Sequence, residues 1–272
     1  NLPRAVTITA GEDTDRDNDS AVFALSAAGM DTVYVSVSAI DDDYQTYVVD
    51  SLADIASPDG FLTLRAAIEA ANTNTAVGEV PEGCEGLPDI ILFSPSLSGG
   101  TITLDGTRLE ITDNLEIRGP GAENLTIDAD GRSGVFYVAA DVSAVFDGLK
   151  ISGGYLAGYI GAGIQGSDGC SIRVIDSTIE DNVIYIKSSS ITGSGAGIYG
   201  GEHSSVEVTG STISNNVIDA RNKSGGGIFV GACSSIAITD SKVSDNSAGY
   251  GGGIHVAEYS TVVVANSTIS DN

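Results

Sequence analysis

From Ile164 to Asn272 the apolar positions of the chain repeat in a fixed internal register. Four Gly-rich tetrads end at Ile164, Ile198, Ile228 and Ile254, reading GAGI twice and then GGGI twice. Fifteen residues after each of these stands Ile179, Ile213, Val243 or Ile269, and eighteen after stands Asn182, Asn216, Asn246 or Asn272. The tetrads themselves are 34, 30 and 26 residues apart, so all the variation falls between an Asn and the next tetrad, in inserts of 12, 8 and 4 residues. Within each unit, runs such as SIAIT and TVVVA alternate with the period of a strand. A unit this short cannot bury its own apolar side. Stacking successive units lets every strand pair with its equivalents about 4.8 Å above and below. The pattern predicts an all-β chain, a right-handed parallel β-helix (β-solenoid) with inward ladders of Ile and Val. The asparagines should stack as an amide ladder, and the inserts should project from one corner. The tetrad glycines fit a corner that needs positive φ or leaves no room for a Cβ.

Upstream the same cadence continues with looser register. Phe146–Ser152 aligns with Ile238–Ser244, and turns of the solenoid are readable from about Ile102 onward. Before them, residues 63–72 carry a helical pattern: Thr63 is placed to cap it, and Leu64, Ala67, Ile68 and Ala71 share one face. A short helix there is expected to cover the open first coil. Residues 1–45 read differently, as three strands with acidic loops. The predicted organisation is a small N-terminal β-strand module over 1–45 and a capped solenoid over 46–272. Three strands do not make a stable sandwich alone. The final residues complete the apolar and Asn positions of a coil without a polar cap. With both ends so unsatisfied, either the parent chain continues beyond Asn272 or the chain itself is the partner, in a head-to-tail homo-oligomer or filament, which is the favoured expectation.

Charge narrows the partners further. Lys and Arg number 12 against 37 Asp and Glu, a net charge of −25. Such a surface repels nucleic acid and anionic lipid and favours divalent cations. No apolar run reaches 18 residues, so no membrane span is expected. The densest acidic stretch holds Glu12, Asp13, Asp15, Asp17 and Asp19, and a second holds Asp41, Asp42 and Asp43. Hard oxygen ligands alternating along a loop suit Ca²⁺, although the spacing is not that of an EF-hand; a solvated acidic loop is the plainer reading.

Catalysis on polysaccharides needs clustered carboxylates with cationic groups on one face. Asp147, Asp176 and Asp240 recur near one edge but stand singly in their coils, and Asp176 and Asp240 sit in a turn-forming context. His203 and His255 fall at different phases of the repeat and should not meet. Trp is absent, which leaves Tyr155, Tyr159, Tyr185, Tyr199 and Tyr250 as the candidates for an adhesive face. Cys170 and Cys233 are expected two coils apart, too far for a disulfide, with buried ladder positions as the default. Glycosylation sequons start at Asn18, Asn124, Asn222 and Asn266.

The run DGFLTLRAAIEAAN, followed by PDIILFSPSLSGGTITL and LEITDNLEIRGPGAENLTI, resembles the CSLREA-type β-helix proteins. The tetrads with an Ile or Val three residues before an Asn resemble polymorphic outer membrane protein repeats, and residues 1–45 resemble the last strands of Calx-β or immunoglobulin-like modules. Leu62 stands where the CSLREA family has its Cys, and Ala66 replaces its Glu. Any disulfide from that Cys is therefore absent. The resemblance implies extracellular or cell-surface display and no single activity. The expected function is that of a non-enzymatic structural protein of a cell surface, envelope or extracellular filament. The alternatives are an adhesin stalk presenting the corner inserts to a surface glycan or protein ligand, and a polysaccharide lyase or hydrolase.

Overall fold

The computed structural model describes residues 20–25, 31–38, 44–56, 60–84, 87–158, 160–186, 194–219 and 223–272. The chain divides into two compact units, Asn1–Tyr44 and Gln45–Asn272. In the first, Ser20–Leu25 and Val33–Ser38 form an antiparallel ribbon with Ser20 opposite Ser38 and Leu25 opposite Val33. Val22, Leu25, Val33 and Tyr34 are exposed on it. The strand expected near residues 5–10 lies outside the described residues.

The second unit is a parallel solenoid, as the apolar repeat predicts. Successive coils contribute one short strand each to sheets I, II and IV, and three of the coils add one to sheet III. Ser171–Ile175 lies in sheet I, Thr178–Glu180 in sheet II, Val183–Tyr185 in sheet III and Ile198–Gly200 in sheet IV. Each pairs in parallel with its equivalent in the next coil, for example Ile172 with Val206 and Ile179 with Ile213. Sheet I runs to eight strands, sheet II to seven and sheet IV to six, whereas sheet III has three. Sheet III is confined to the coils that carry Tyr155–Ala157, Val183–Tyr185 and Val217–Asp219. Alternation places Ile172, Val174, Ile179, Ile198 and their equivalents in one continuous core. A second, smaller core of Ala162, Ile184, Ile186, Ala196 and Ile218 lies between sheet III and the tetrads.

Three polar ladders run along the axis. Asn182, Asn216, Asn246 and Asn272 form the expected one: each Nδ2 donates to the next Oδ1 at 2.9 Å. Each Oδ1 also accepts the backbone N–H of the Asn below. The other two are serine ladders. Ser177, Ser211 and Ser241 donate their backbone N–H to Ser211, Ser241 and Ser267 Oγ at 3.0–3.1 Å. Ser204 and Ser234 do the same to Ser234 and Ser260 at 3.0 Å. The tetrad follows from the Asn ladder. Its first Gly adopts positive φ (63° at Gly161, 71° at Gly225). Its third has no room for a side chain: a Cβ on Gly227 would fall 2.6 Å from Gly253 O and 3.0 Å from the Asn246 amide. The middle position tracks insert length. Ala196 fits where the next coil carries eight inserted residues. Gly226 lies beneath the four-residue insert, where a Cβ would meet Gly252 O at 2.5 Å and Ser247 O at 2.7 Å.

The solenoid begins earlier than residue 102. Thr46–Val49 already pairs with Asp89–Phe93, and that strand with Leu115–Arg118. The helix α1 (Leu64–Thr73) is therefore an excursion inside the first coil rather than an element before it. Thr63 caps it, accepting from Ala66 N–H at 3.1 Å, and Leu64, Ala67, Ile68 and Ala71 are buried as expected, together with Ala66 and Ala70. The helix closes the first coil with polar as well as apolar contacts. Asn72 Nδ2 donates to Glu110 O at 2.6 Å, and Asn72 Oδ1 accepts Thr112 N–H at 2.7 Å. The side-chain amide thus stands in for a neighbouring strand at the free edge of sheet IV, where an unpaired edge would otherwise be exposed. Arg65 donates to Thr107 O and Arg108 O on the same edge. It is held by a bidentate pair with Asp54, at 2.7 and 2.9 Å.

Candidate functional site

Sheet IV carries the most distinctive outward row. The residue after each inward Leu, Phe or Ile faces out, which sets Glu110, Tyr137, Gln165, Tyr199, Phe229 and His255 in line along the axis. Tyr199 stacks on Phe229 with centroids 5.2 Å apart and planes 2° from parallel; Phe229 stacks on His255 at 5.3 Å and 5°. The stacking has a consequence for recognition. Parallel rings piled along the axis spend their faces on one another and offer only edges to solvent. A sugar ring stacks on an exposed aromatic face, so Tyr199 is a ladder residue before it is a contact residue. Burial pushes the Tyr199 phenol up, with Asp168 and Glu202 adding to the effect. Tyr155 and Tyr250 are exposed and Tyr185 is half-buried; Tyr159 lies outside the described residues.

Below Tyr199 the row changes character. The Arg108 guanidinium lies 4.1 Å over the Tyr137 ring and donates Nη1–H to Gln165 Oε1 at 2.9 Å. Ser167 Oγ–H donates to Tyr137 Oη at 2.8 Å. Beside this cluster opens a groove of about 700 Å³, bordered by Arg65, Ile68, Arg108, Leu109, Arg132 and Leu156 among others. Its origin is geometric. The first coils pass from sheet II to sheet IV without a sheet III strand, so Leu156 in the first sheet III strand overhangs a step, with α1 as the far wall. Three of the chain's 12 cationic side chains border it, and each is ion-paired: Arg65 with Asp54, Arg108 with Glu110, Arg132 with Asp130.

The carboxylates named from the sequence are partly brought together. Asp147 pairs in register with Ile175, so Asp176 comes next to it in the adjoining coil. Burial raises the Asp147 carboxyl above its ordinary value, Asp176 and Glu116 raise it further, and Arg118 opposes them. The isolation expected within single coils thus does not extend across coils. Asp240 stays apart, because Gly210 occupies the coil between it and Asp176. Asp176 and Asp240 have φ of 44° and 51°, the left-handed corner their turn context predicts. A smaller hollow of about 270 Å³ on sheet I is bordered by Glu116, Ser143, Val145 and Arg173 among others and does not include Asp147.

His203 occupies a left-handed corner and His255 a sheet IV strand, on different sides of the coil. Cys233 sits one coil above His203 in the same left-handed position and is exposed, contrary to the buried default; only Cys170 has the ladder place. It takes the position equivalent to Ser204, and burial pushes its thiol up to about 11. At that value it is a packing residue rather than a nucleophile. The proposed calcium ligands Glu12, Asp13, Asp15, Asp17, Asp19, Asp41, Asp42 and Asp43 lie outside the described residues, as do Asn18 and Asn222. Among the described residues, no group of three or more His, Cys, Asp or Glu is placed to hold a metal ion, and no helix is long and apolar enough to cross a membrane. Sequence reasoning missed Arg65, Arg108 and Tyr137. The signal was there in the register, since Tyr137 and Tyr199 both follow an inward residue at the same phase.

Among protein families, the model of a right-handed β-helix region fits residues 113–272. No curated protein and no solved structure matches the chain.

Proposed function

The chain belongs to the right-handed β-helix family, and from that premise we propose that it is a non-catalytic scaffold of a cell surface or extracellular structure that presents its corner inserts to a ligand. The observation that carries this reading is the behaviour of the inserts. Segments of 12, 8 and 4 residues separate an Asn of the ladder from the next tetrad; contrary to the expectation that whole inserts project, the two longer ones begin as the stacked sheet III strands Val183–Tyr185 and Val217–Asp219, so the variation in length falls after those strands. The strand register on either side is unchanged, with Ile198 opposite Ile228 and Ile228 opposite Ile254. A fold that varies only at one corner, above a rigid stack, is suited to binding by those variable segments. A surface glycan or a protein is the ligand class. We also read Leu62–Ala67 as a CSLREA-type start of the solenoid, a reading supported by the capping role of Thr63 and the buried pairing of Arg65. Head-to-tail self-assembly belongs to the same proposal, supported by the apolar residues exposed on the N-terminal ribbon. Removing residues 1–43 should abolish any assembly seen by light scattering.

The test replaces residues 187–193, between the sheet III strand and the next tetrad, with a short Gly-Ser linker, which keeps Val183–Tyr185 and the buried Ile184 and Ile186 in place. The expected result is an unchanged far-ultraviolet circular dichroism spectrum, with glycan-array or surface binding lost. Binding that survives shortening of all inserts rejects the display reading. A second reading, a polysaccharide-active enzyme, is favoured by the raised carboxyl of Asp147 beside Asp176 and Arg118. Depolymerisation of a polysaccharide, lost in Asp147→Asn, would establish it over the scaffold.

A further inference from the structure

Sheet III stops abruptly, with one edge unpaired. In each of its three strands the first N–H donates to the coil below: Val217 to Asn182 O at 2.9 Å, Val183 to Gly154 O at 2.7 Å and Tyr155 to Ser133 O at 2.8 Å. Alternation aims the N–H two residues on in the same direction. For Asp219 and Tyr185 a strand lies there. For Ala157, at the edge of the sheet, no strand among the described residues does. The two coils below pass from sheet II to sheet IV without a sheet III strand. The gap is therefore two strand spacings deep, about 10 Å. The groove of about 700 Å³ that Leu156 borders opens into it.

The side chains show the same interruption. Leu156, Ile184 and Ile218 stand in register. Ile184 and Ile218 are buried, at 0% and 3% exposure, whereas Leu156 is only partly buried against the same small core. Gly134 lies beneath Leu156 without filling the space: a Cβ built on it would fall 3.6 Å from Leu156 Cδ1. Arginines border the groove. Arg65 has committed its donors to Asp54, Thr107 O and Arg108 O. Arg132 differs, because its side chain is 56% exposed and that of its partner Asp130 is 52% exposed. So open a pair contributes little and exchanges readily. Among the described residues no aromatic ring borders the groove, and Arg108 covers the face of Tyr137 beside it. That disfavours a sugar ring. An unpaired strand edge favours a peptide.

We propose that this gap is a docking site for an extended segment of a partner protein, which adds to sheet III beneath Tyr155–Ala157. The chain's own sheet III strands define the chemistry of the occupant. Val217–Asp219 carries the pattern: a β-branched residue, an Ile facing the small core and an exposed Asp. A segment of this kind sets its aliphatic side chain under Leu156, as the missing lowest member of the ladder. Its backbone carbonyl accepts Ala157 N–H, and its carboxylate takes the place of Asp130 on Arg132. The site is separate from the corner inserts.

The probe is a fluorescein-labelled peptide with the sequence of residues 215–220, which contains a natural sheet III strand. Fluorescence anisotropy reads its binding to the full chain. The expected result is saturable binding that weakens at least tenfold when the peptide's Ile is replaced by Ser or its backbone is N-methylated at alternate residues. Ala157→Pro removes the edge N–H at a place where sheets tolerate proline, and Arg132→Glu reverses the charge; each should weaken binding at least tenfold with a wild-type circular dichroism spectrum. Replacing residues 187–193 should leave binding unchanged, which keeps this test distinct from that of the inserts. No saturable binding up to millimolar peptide overturns the proposal. So does undiminished affinity of the N-methylated peptide, a control that stands even if Ala157→Pro does not fold. Hexagalacturonate that displaces the peptide from the wild-type chain, and binds Ala157→Pro as tightly, would assign the groove to an acidic glycan instead.

Discussion

The later coils and the first coil solve the same problem by different means. Between Gly161 and Asn272, the asparagines and serines of the three ladders are served by their own equivalents in the neighbouring coil, Asn by Asn and Ser by Ser; Ser244, whose Oγ is buried without a hydrogen-bond partner, stands outside them. In the first coil no equivalent lies below, and every group needs a particular partner. Arg65 finds Asp54, Asn72 finds the edge of sheet IV, and Asn74 finds Asp113. A repeated solution distributes its cost, because the other rungs keep their own ladder bonds when one residue changes. A single-use solution concentrates it. The two regions should therefore respond to mutation with different severity.

The largest effect is expected at Arg65→Ala. The change removes the cation that pairs with Asp54, whose side chain is 3% exposed and keeps only the Asp105 N–H, and it removes the donors to Thr107 O and Arg108 O. Breaking a buried pair from one side costs about 3–5 kcal/mol, with the lower end apt here because the Arg65 side chain is 19% exposed. Urea denaturation measures it. A loss under about 1 kcal/mol would mean that the cover contributes little to the stack, and the contrast between the regions would fail. Arg65→Lys tests the fork geometry separately, since an ammonium cannot hold Asp54 bidentately.

Within the repeat, Gly227→Ala should cost more than Asn246→Ala. The new Cβ meets backbone and the Asn246 amide, neither of which can move without disturbing the next coil. Overpacking of this kind costs about 1–3 kcal/mol, and the rigidity of the neighbours places this site near the top of that range. Asn246→Ala leaves the Asn216 backbone N–H without its acceptor, whereas Asn216 Nδ2 keeps Ile179 O and Ser214 O. A loss of about 2 kcal/mol follows for the unserved buried donor. The reverse order in denaturation would show that the ladder, not the close approach of coils, sets the need for glycine.

What the sequence revealed divides along the same line. The Asn ladder was legible because four asparagines keep one distance from four tetrads. The helix was legible because Thr63 and the face of Leu64, Ala67, Ile68 and Ala71 are local signals. The serine ladders were hidden behind a sound local reading: in the DS pairs the Asp does make the turn, but Ser177 and Ser241 also serve the next coil. Arg65 and Asp54 are 11 residues apart with no periodic relation, so nothing in the chain announces their pairing. The start of the stack at Thr46 was obscured by the excursion through α1, which separates two adjacent strands by about 40 residues of other structure. The meeting of Asp147 with Asp176 required the register between coils, which spacing within one coil does not supply.

The smallest effect tests that last meeting and runs the opposite way. Burial, Asp176 and Glu116 together hold the Asp147 carboxyl above its ordinary value, against the pull of Arg118. Between the ordinary and the raised value, the folded chain keeps a proton that the unfolded chain has released. Stability therefore falls as pH climbs through that window, and the whole penalty stands above it. Asp147→Asn removes the penalty while keeping the shape. The variant should melt slightly above the wild-type chain at pH 7, and the difference should shrink as pH drops through the window and vanish below the ordinary carboxyl value. Thermal midpoints measured for both proteins from pH 3 to pH 7 decide the matter. Parallel curves would mean that Asp147 and Asp176 do not sense each other across the coils. A wild-type chain more stable at pH 7 would mean that the attraction of Arg118 outweighs burial, and that this face of sheet I is held together by the same kind of single-use pairing that builds the first coil.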